Sequence, residues 1–273
     1  MTKQRPRILA PVQREVRQRC GFGCVLCGLP IYQIHHIERD PTIHNPKDMT
    51  LLCPNHHEEE KKGLIPKGQV RAANADPVNR RRGVSTAQQL AGFTGPSCSF
   101  IVGGCEAKNA GPNTDFAAIM IDGVPILAFH FEDGHALLHL HLFNEYNEPV
   151  LVVRDGWFVV STLPWDITFE GSVLTIREGK GRIRLQVSFD PPSKVEIKRG
   201  FFLFNGVAIA VSEHGVECLN KGNRWSRCGA TTNGAAFAIG PRPPGIHVGW
   251  ALPQVERYAA LSLQKCPGPT RTE

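Results

Sequence analysis

Four residues in the first third of the chain have the types and spacing of a zinc site. Cys24 and Cys27 form a C-x2-C pair, and Cys53 and His56 form a C-x2-H pair 25 residues further on. Zinc takes four thiolate or imidazole ligands in a tetrahedron, and two short-spaced pairs can supply them. A lone C-x2-C also suits redox chemistry, and burial in a small core is the plain structural alternative. Because residues 1–85 contain few large apolar side chains, we expect a zinc ion to stabilise them.

Three further histidines lie in the same segment, namely His35, His36 and His57. The runs CVLCGLPIYQIHHI and MTLLCPNHH, preceded by a basic helix, resemble the HNH endonucleases. Within that family they are similar to the bacterial group in which two knuckles hold a zinc ion around a ββα-metal active site. The resemblance covers roughly residues 10–75 and implies an α+β fold class, with a small zinc-stapled HNH domain at the N-terminus.

The resemblance also implies a role for each of these histidines. His36 is the implied general base, and His35 and His57 are implied ligands of one catalytic divalent cation. An imidazole with a pKa of about 6.5 can take a proton from water at neutral pH, and a cation neutralises developing charge on a phosphodiester. We expect magnesium, with manganese or nickel as alternatives. Since neighbours on a strand face opposite ways, we expect an irregular strand end to bring His35 and His36 together.

The middle residue of the HNH pattern departs from the family. An Asn usually stands just before the second strand and orients the base, whereas the matching position here is Asp48. Either Asp48 substitutes for it, or Asn45, three residues earlier, takes the role. This departure supports a rival function, in which the protein is a catalytically inactive zinc-stapled DNA-binding or adaptor module.

The excess positive charge indicates a polyanionic partner. The chain has 31 Lys and Arg and 25 Asp and Glu, a net charge of +6, and residues 1–85 alone carry +7. We expect the partner to be double-stranded DNA, bound through its backbone without base readout. The candidate contacts are Arg14, Arg17, Arg19 and Lys61. The alternative for Lys61, which lies one turn after His57, is a solvated lysine paired with Glu58 or Glu60.

Short elements are predicted to carry these residues. Pro, Gly and apolar patterning predict helices at Arg14–Arg19, from Asn55 to Gly63 and at Lys67–Ala75, with strands at Ile31–Ile37 and Met49–Cys53. Cys20 is expected to be a small buried residue of the first helix rather than a zinc ligand.

From about residue 115 the pattern changes to short apolar segments separated by turn residues, which predicts a mostly-β domain. The clearest strands are Val124–Phe131, Ala136–Phe143, Val150–Val153, Trp157–Val160, Val173–Arg177, Ile183–Phe189, Val195–Ile197, Phe201–Phe204 and Val207–Val211. A meander, a sandwich and a short solenoid all fit. The predicted domains are an HNH domain at 1–78, a linker at 79–114, the β-rich domain at 115–240 and a Gly/Pro-rich tail at 241–273.

The β-rich domain has no clear chemical motif. His130, His135, His139 and His141 are expected to be cross-strand surface residues rather than a metal site, and Cys218 and Cys228 are expected to be structural. The domain is predicted to position the nuclease or to bind a protein partner. A weaker possibility is a ligand sensor that gates the nuclease.

Composition excludes several protein classes. No stretch approaches about 18 consecutive apolar residues, so we expect no membrane helix. The first twenty residues have no apolar stretch typical of a secretory signal. Nine Cys residues are an odd number and too few for a disulfide scaffold. We therefore expect a cytoplasmic protein with reduced thiols.

Overall fold

The computed structural model describes residues 6–38, 40, 42–83, 85, 97–109, 115–154, 157–159, 165–220 and 222–259. The chain divides into two compact units, Met1–Gln88 and Gln89–Glu273. Helices occur in the first unit and the second is built of strands, which confirms the predicted α+β class with a mostly-β body. No helix in the described part of the chain is both long and apolar enough to cross a membrane.

The N-terminal unit consists of short elements close to the predicted ones. They are α1 (Ala10–Arg19), β1 (Gln33–His36), a 3-10 turn (Pro46–Asp48), β2 (Met49–Leu52), α2 (Pro54–Lys61), α3 (Lys67–Ala75) and α4 (Val78–Arg82). Pro11 and Pro54 stand in the first turns of α1 and α2, where a missing N–H is tolerated. Helix α4 lies at the start of the segment predicted as a linker.

The strands and helices of this unit enclose a small core of their own. β1 and β2 form an antiparallel hairpin in which His35 is opposite Thr50 and His36 is opposite Met49. All four residues of β2 are buried, and α1 packs against them through Val16 and Cys20. Burial of Cys20 agrees with its predicted role, since its Sγ lies near the Thr50 hydroxyl, 3.9 Å away.

The C-terminal unit contains the remaining strands. They are β3 (Cys98–Val102), β4 (Cys105–Asn109), β5 (Phe116–Ile121), β6 (Val124–Glu132), β7 (His135–Phe143), β8 (Pro149–Arg154), β9 (Trp157–Val159), β10 (Asp166–Glu170), β11 (Val173–Gly179), β12 (Arg182–Asp190), β13 (Lys194–Phe204), β14 (Val207–Ser212), β15 (Gly215–Cys218), β16 (Asn223–Trp225), β17 (Gly229–Thr232), β18 (Ala235–Ile239) and β19 (Val248–Leu252). Two predicted strands, Val195–Ile197 and Phe201–Phe204, are parts of the single strand β13. Val160, the predicted end of β9, lies outside the described residues.

The structure differs from the predicted linker and tail. β3 and β4 lie within residues 79–114 and form a hairpin around Gly103 and Gly104, both with positive φ, as a two-residue turn requires. β19 lies within the predicted tail, where it pairs in parallel with β18. The sequence does not predict either segment as strand, because both strands are short and the Gly and Pro residues around them are typical of irregular chain.

Two packed sheets form the C-terminal unit. Within the described residues, seven strands run in the order β19-β18-β5-β6-β7-β8-β9, and ten others form the second sheet. Phe100 of the second sheet stacks on Phe116 of the first, with ring centroids 4.2 Å apart, and Phe129 meets Phe189 edge-on. Of the three predicted architectures, this packing corresponds to a sandwich, with each sheet built largely as a meander.

Candidate functional site

Cys24, Cys27, Cys53 and His56, hereafter the Cys/His cluster, form a group that could hold a metal ion such as zinc. One ligand atom from each lies within 4.8 Å of all the others. His56 Nδ1 is 3.3 Å from both Cys24 Sγ and Cys53 Sγ, and Cys27 Sγ is 3.8 Å from Cys53 Sγ. A tetrahedron with zinc–sulfur bonds of about 2.3 Å has sulfur–sulfur edges of about 3.8 Å. The four ligand atoms therefore have the spacing that a tetrahedral ion needs.

Two tight turns of the backbone place these ligands. In the first, Gly28 N donates to Cys24 O (2.7 Å) and Cys24 N donates to Leu29 O (2.9 Å), which brings Cys24 and Cys27 to one side. In the second, Cys53 precedes the first turn of α2, and His57 N donates to Cys53 O. A C-x2-C knuckle and a helix start thus present their side chains toward one point.

One hydrogen bond links two thiols of the Cys/His cluster and shifts their pKa values in opposite directions. A hydrogen bond from the Cys27 thiol is the main cause that lowers the pKa of Cys24, to about 4. The same hydrogen bond raises the pKa of Cys27, because it holds that proton in place. Since zinc binds thiolates, an ion bound here would displace the proton that links Cys24 and Cys27.

A second group, His35, His57 and Glu60, joins β1 to α2. The rings of His35 and His57 meet edge-on with centroids 5.2 Å apart. His35 Nε2 is 3.4 Å from a carboxylate oxygen of Glu60, a residue only 1% exposed. His57 and Glu60 are three residues apart on α2 and so share one helix face. Two imidazoles and a carboxylate are a donor set suited to a divalent cation.

His36 lies in different surroundings from its neighbour. It is buried, and its ring centroid is 5.6 Å from that of His44 in the loop before β2. The pairing of β1 with β2 stays regular through both histidines. His35 therefore contacts the helix and His36 the loop, as the alternation of a strand requires. The irregular strand end expected from the sequence is not seen in β1.

Asn45 and Asp48, the two candidates for the middle HNH residue, contact each other. Asn45 Nδ2 donates to an Asp48 carboxylate oxygen (2.8 Å), while Asn45 Oδ1 accepts from Lys47 N (3.1 Å). Asp48 also accepts a hydrogen bond from Ile37 N through its backbone carbonyl, directly after His36. The side chain of Asn45 thus fixes the loop, and the backbone of Asp48 ties that loop to the end of β1.

The basic residues predicted to contact DNA occupy unlike positions. Arg17 is 7% exposed, whereas Arg14 is partly exposed and Lys61 is exposed. Arg19 donates through its guanidinium to Asn74 Oδ1 (2.9 Å), to Pro46 O (2.8 Å) and to Met49 O. These hydrogen bonds tie Arg19 to the loop before β2 and to Asn74, so Arg19 stabilises the fold there.

The charged residues of α2 also divide by position. Lys62, rather than Lys61, pairs with Glu58, at 3.5 Å. Glu60, the other suggested partner of Lys61, is buried beside His35. The ion pair suggested for Lys61 is therefore not seen among the described residues of this helix.

Four histidines of the C-terminal unit, His130, His135, His139 and His141, lie along one face of β6 and β7. His130 Nδ1 pairs with Asp115, and the rings of His139 and His141 are 5.0 Å apart. His130 and His139 line a cavity of about 770 Å³ together with His247 and several apolar residues. Cys218 is fully buried in β15.

Glu60 and His44 are the neighbours of the predicted histidines that sequence reasoning missed as site residues. The spacing of Glu60, three residues after His57, was the available signal. His44 had none, because only the fold of the loop brings it to His36. Comparison with protein-family models, with curated proteins and with solved structures found no match to this chain.

Proposed function

We propose that the N-terminal unit is a metal-dependent endonuclease of the HNH type, which hydrolyses phosphodiester bonds of double-stranded DNA. The observation that carries the proposal is the packing of His35, on a ββα arrangement, against His57 and Glu60 of the helix. The Cys/His cluster lies at the start of that helix, as the resemblance to this family implies. The positive charge of residues 1–85 supplies attraction for the DNA backbone.

The Cys/His cluster would hold a structural zinc ion. Its three sulfur atoms and one imidazole nitrogen are a donor set that structural zinc sites use, and their spacing fits the ion. An ion bound there joins the knuckle after α1 to the start of α2. It would contribute folding free energy to a unit whose core is small.

His35 and His57 would hold the catalytic divalent cation, for which magnesium is proposed, with manganese or nickel as alternatives. When bound, the cation supplies charge neutralisation at the phosphate oxygens. Glu60 would orient His35. Its carboxylate oxygen is 3.4 Å from His35 Nε2 and both atoms are buried, so the carboxylate limits the orientations open to the ring.

His36 would act as the general base. Because His36 faces the loop while His35 meets His57 on the other side of β1, this role requires the end of β1 to rearrange so that His36 reaches the cation. In its neutral form the imidazole accepts a proton from the water that attacks phosphorus, and the new P–O bond forms as the bond to the leaving 3′-oxygen breaks. His44 packs beside His36 and limits the movement of its ring. The bonds of Asn45 and Asp48 hold the loop that carries His44, so both residues would position the base indirectly.

A plasmid-nicking assay tests the proposal. The full-length protein is incubated with supercoiled plasmid and Mg²⁺ or Mn²⁺, with EDTA as the metal-free condition, beside the variants His36→Ala and His214→Ala. His214 is an exposed histidine of the C-terminal unit and serves as the matched control. We expect nicking that requires metal, persists in His214→Ala and is lost in His36→Ala.

The same assay separates the proposed enzyme from an inactive DNA-binding module. If wild type and His36→Ala shift DNA equally on a gel and neither cleaves it with any tested metal, the nuclease proposal is wrong. The substitution of Asp48 for the family Asn would then be read as a sign of lost catalysis.

A further inference from the structure

Cys105 and Cys228 form a close pair in the C-terminal unit. Their sulfur atoms are 2.8 Å apart, well inside the 3.8 Å that separates the sulfurs of Cys27 and Cys53. A disulfide bond is about 2.05 Å long, so a small adjustment of the side chains would bring the two sulfurs to bonding distance.

The backbone around the pair suits a cross-link. Cys105 begins β4, and Cys228 directly precedes β17, which runs parallel to β4 with Gly229 opposite Glu106. Glu106 N donates to Cys228 O at 2.8 Å, which fixes the two chains side by side at this point. Neighbouring strands lie about 4.8 Å apart, within the range of Cα separations of about 4.4–6.8 Å that disulfides span.

The pair lies at the far end of one arm of the ten-stranded sheet. One arm runs from β13 through β14 and β15 to β16, and the other from β13 through β3 and β4 to β17. A bond between Cys105 and Cys228 would lie within the second arm, where it would cross-link β4 to the start of β17. It would join residues that are 123 positions apart in the chain.

We propose that Cys105 and Cys228 are an oxidation site, at which a low-molecular-weight disulfide such as oxidised glutathione converts the two thiols to an intramolecular disulfide. Cys228 is partly exposed and Cys105 is fully buried, so the oxidant reaches Cys228 first. The Cys228 thiolate attacks the oxidant, which releases one thiol and leaves a mixed disulfide. Cys105 then loses its proton to solvent and attacks Cys228 Sγ, which releases the second thiol.

The surroundings of Cys228 determine the rate of this reaction. Burial and the neighbouring Cys105 raise the pKa of Cys228, so little thiolate is present at neutral pH. The cross-link therefore forms slowly. The test accordingly uses excess oxidant and a long incubation.

Peptide mapping of the full-length protein tests the proposal. The protein is incubated with oxidised glutathione and zinc, alkylated, digested with trypsin without reductant and analysed by mass spectrometry. We expect peptides 83–108 and 228–257 to be joined, with the loss of two hydrogen atoms. Cys98 shares the first peptide with Cys105, so Cys98→Ser is the matched control and should still cross-link.

Single variants test the order of the two steps. Cys105→Ser should accumulate glutathione on Cys228, because the resolving thiol is missing, and Cys228→Ser should stay unmodified at Cys105. Oxidised wild type should also melt at a higher temperature than the reduced protein, and dithiothreitol should reverse the difference. Peptides that stay separate in the oxidised, folded protein, or a link that disappears in Cys98→Ser, would overturn the proposal.

Discussion

Glu60 is the residue at which the structure adds most to the proposed chemistry. It is almost completely buried, on a helix that is otherwise polar, and it lies against His35. Burial of a carboxylate is costly unless a partner or an ion compensates for it. In the proposed function, Glu60 orients His35, and an ion bound beside them would compensate for burial of the carboxylate.

We predict that Glu60→Gln reduces metal-dependent nicking by about 10- to 100-fold, because groups that orient metal-binding histidines have effects of that size. The nicking rate as a function of Mn²⁺ concentration measures it, and the deficit should shrink at saturating metal. Glu58→Gln is the matched control, since Glu58 is a half-exposed residue of the same helix. Equal losses in both variants would contradict the assigned role.

Substitutions of Arg19 and Arg14 should distinguish an arginine that stabilises the fold from one that contacts DNA. Arg19→Ala removes bonds to Pro46 O, Met49 O and Asn74, and we predict a loss of about 2 kcal/mol in the free energy of unfolding. Chemical denaturation followed by circular dichroism measures it. A variant as stable as wild type would show that these bonds contribute little.

Arg14→Ala tests whether this partly exposed arginine contacts DNA. If Arg14 contacts a DNA phosphate, the variant binds DNA more weakly, and the slope of log K against log salt concentration falls by about 1. Fluorescence anisotropy at several salt concentrations measures this slope. An unchanged slope would remove Arg14 from the proposed DNA-binding surface.

At the scale of single elements, the Cys/His cluster should determine whether the β1–β2 hairpin stays packed against α2. We predict that Cys24→Ser, or prolonged chelation, releases about one zinc per chain and greatly increases amide exchange in β1, β2 and α2. Elemental analysis and hydrogen-exchange mass spectrometry measure the two effects. Cys20→Ala is the control. Because Cys20 is buried outside the cluster, this variant should keep its zinc.

The sequence allowed the elements of the N-terminal unit to be predicted well. Pro11, Pro54 and Gly63 mark helix ends by backbone chemistry alone, and the two short-spaced Cys/His pairs indicate one cluster. The contact of Asn45 with Asp48 and the burial of Glu60 could not be predicted, because they depend on how the loop before β2 folds. Charge also misleads here, since Arg17 and Arg19 look like surface residues until packing is known.

At the scale of the whole molecule, the division into two units predicts separate folding. We expect a chain ending at Gln88 to bind about one zinc and to keep the helix content of its unit, because its core residues lie in its own elements. Circular dichroism and elemental analysis of that fragment check this, with Cys24→Ser in the fragment as control. A fragment that is unfolded with zinc present would show that the second unit is required.

The mostly-β character of the second unit was predictable because alternating apolar residues and Asp-Gly or Asn-Gly turns recur along it. Its sheet order was not, since the parallel pairs β3–β13, β4–β17 and β5–β18 join segments far apart in the chain. No local pattern specifies which distant strands pair. The hairpin around Gly103 and Gly104 was missed although its Gly-Gly pair is a local turn signal.

Helix α2 gives adjacent residues, His56 and His57, to two different groups. Each residue of an α-helix is rotated by about 100° from the one before it. The ion that fixes His56 would therefore also fix the angular phase at which His57 and Glu60 meet His35. An alanine inserted between His56 and His57 would keep all four ligands of the Cys/His cluster and turn His57 away from β1. Such a variant would retain zinc and lose nicking, which separates assembly of the unit from alignment of its chemistry.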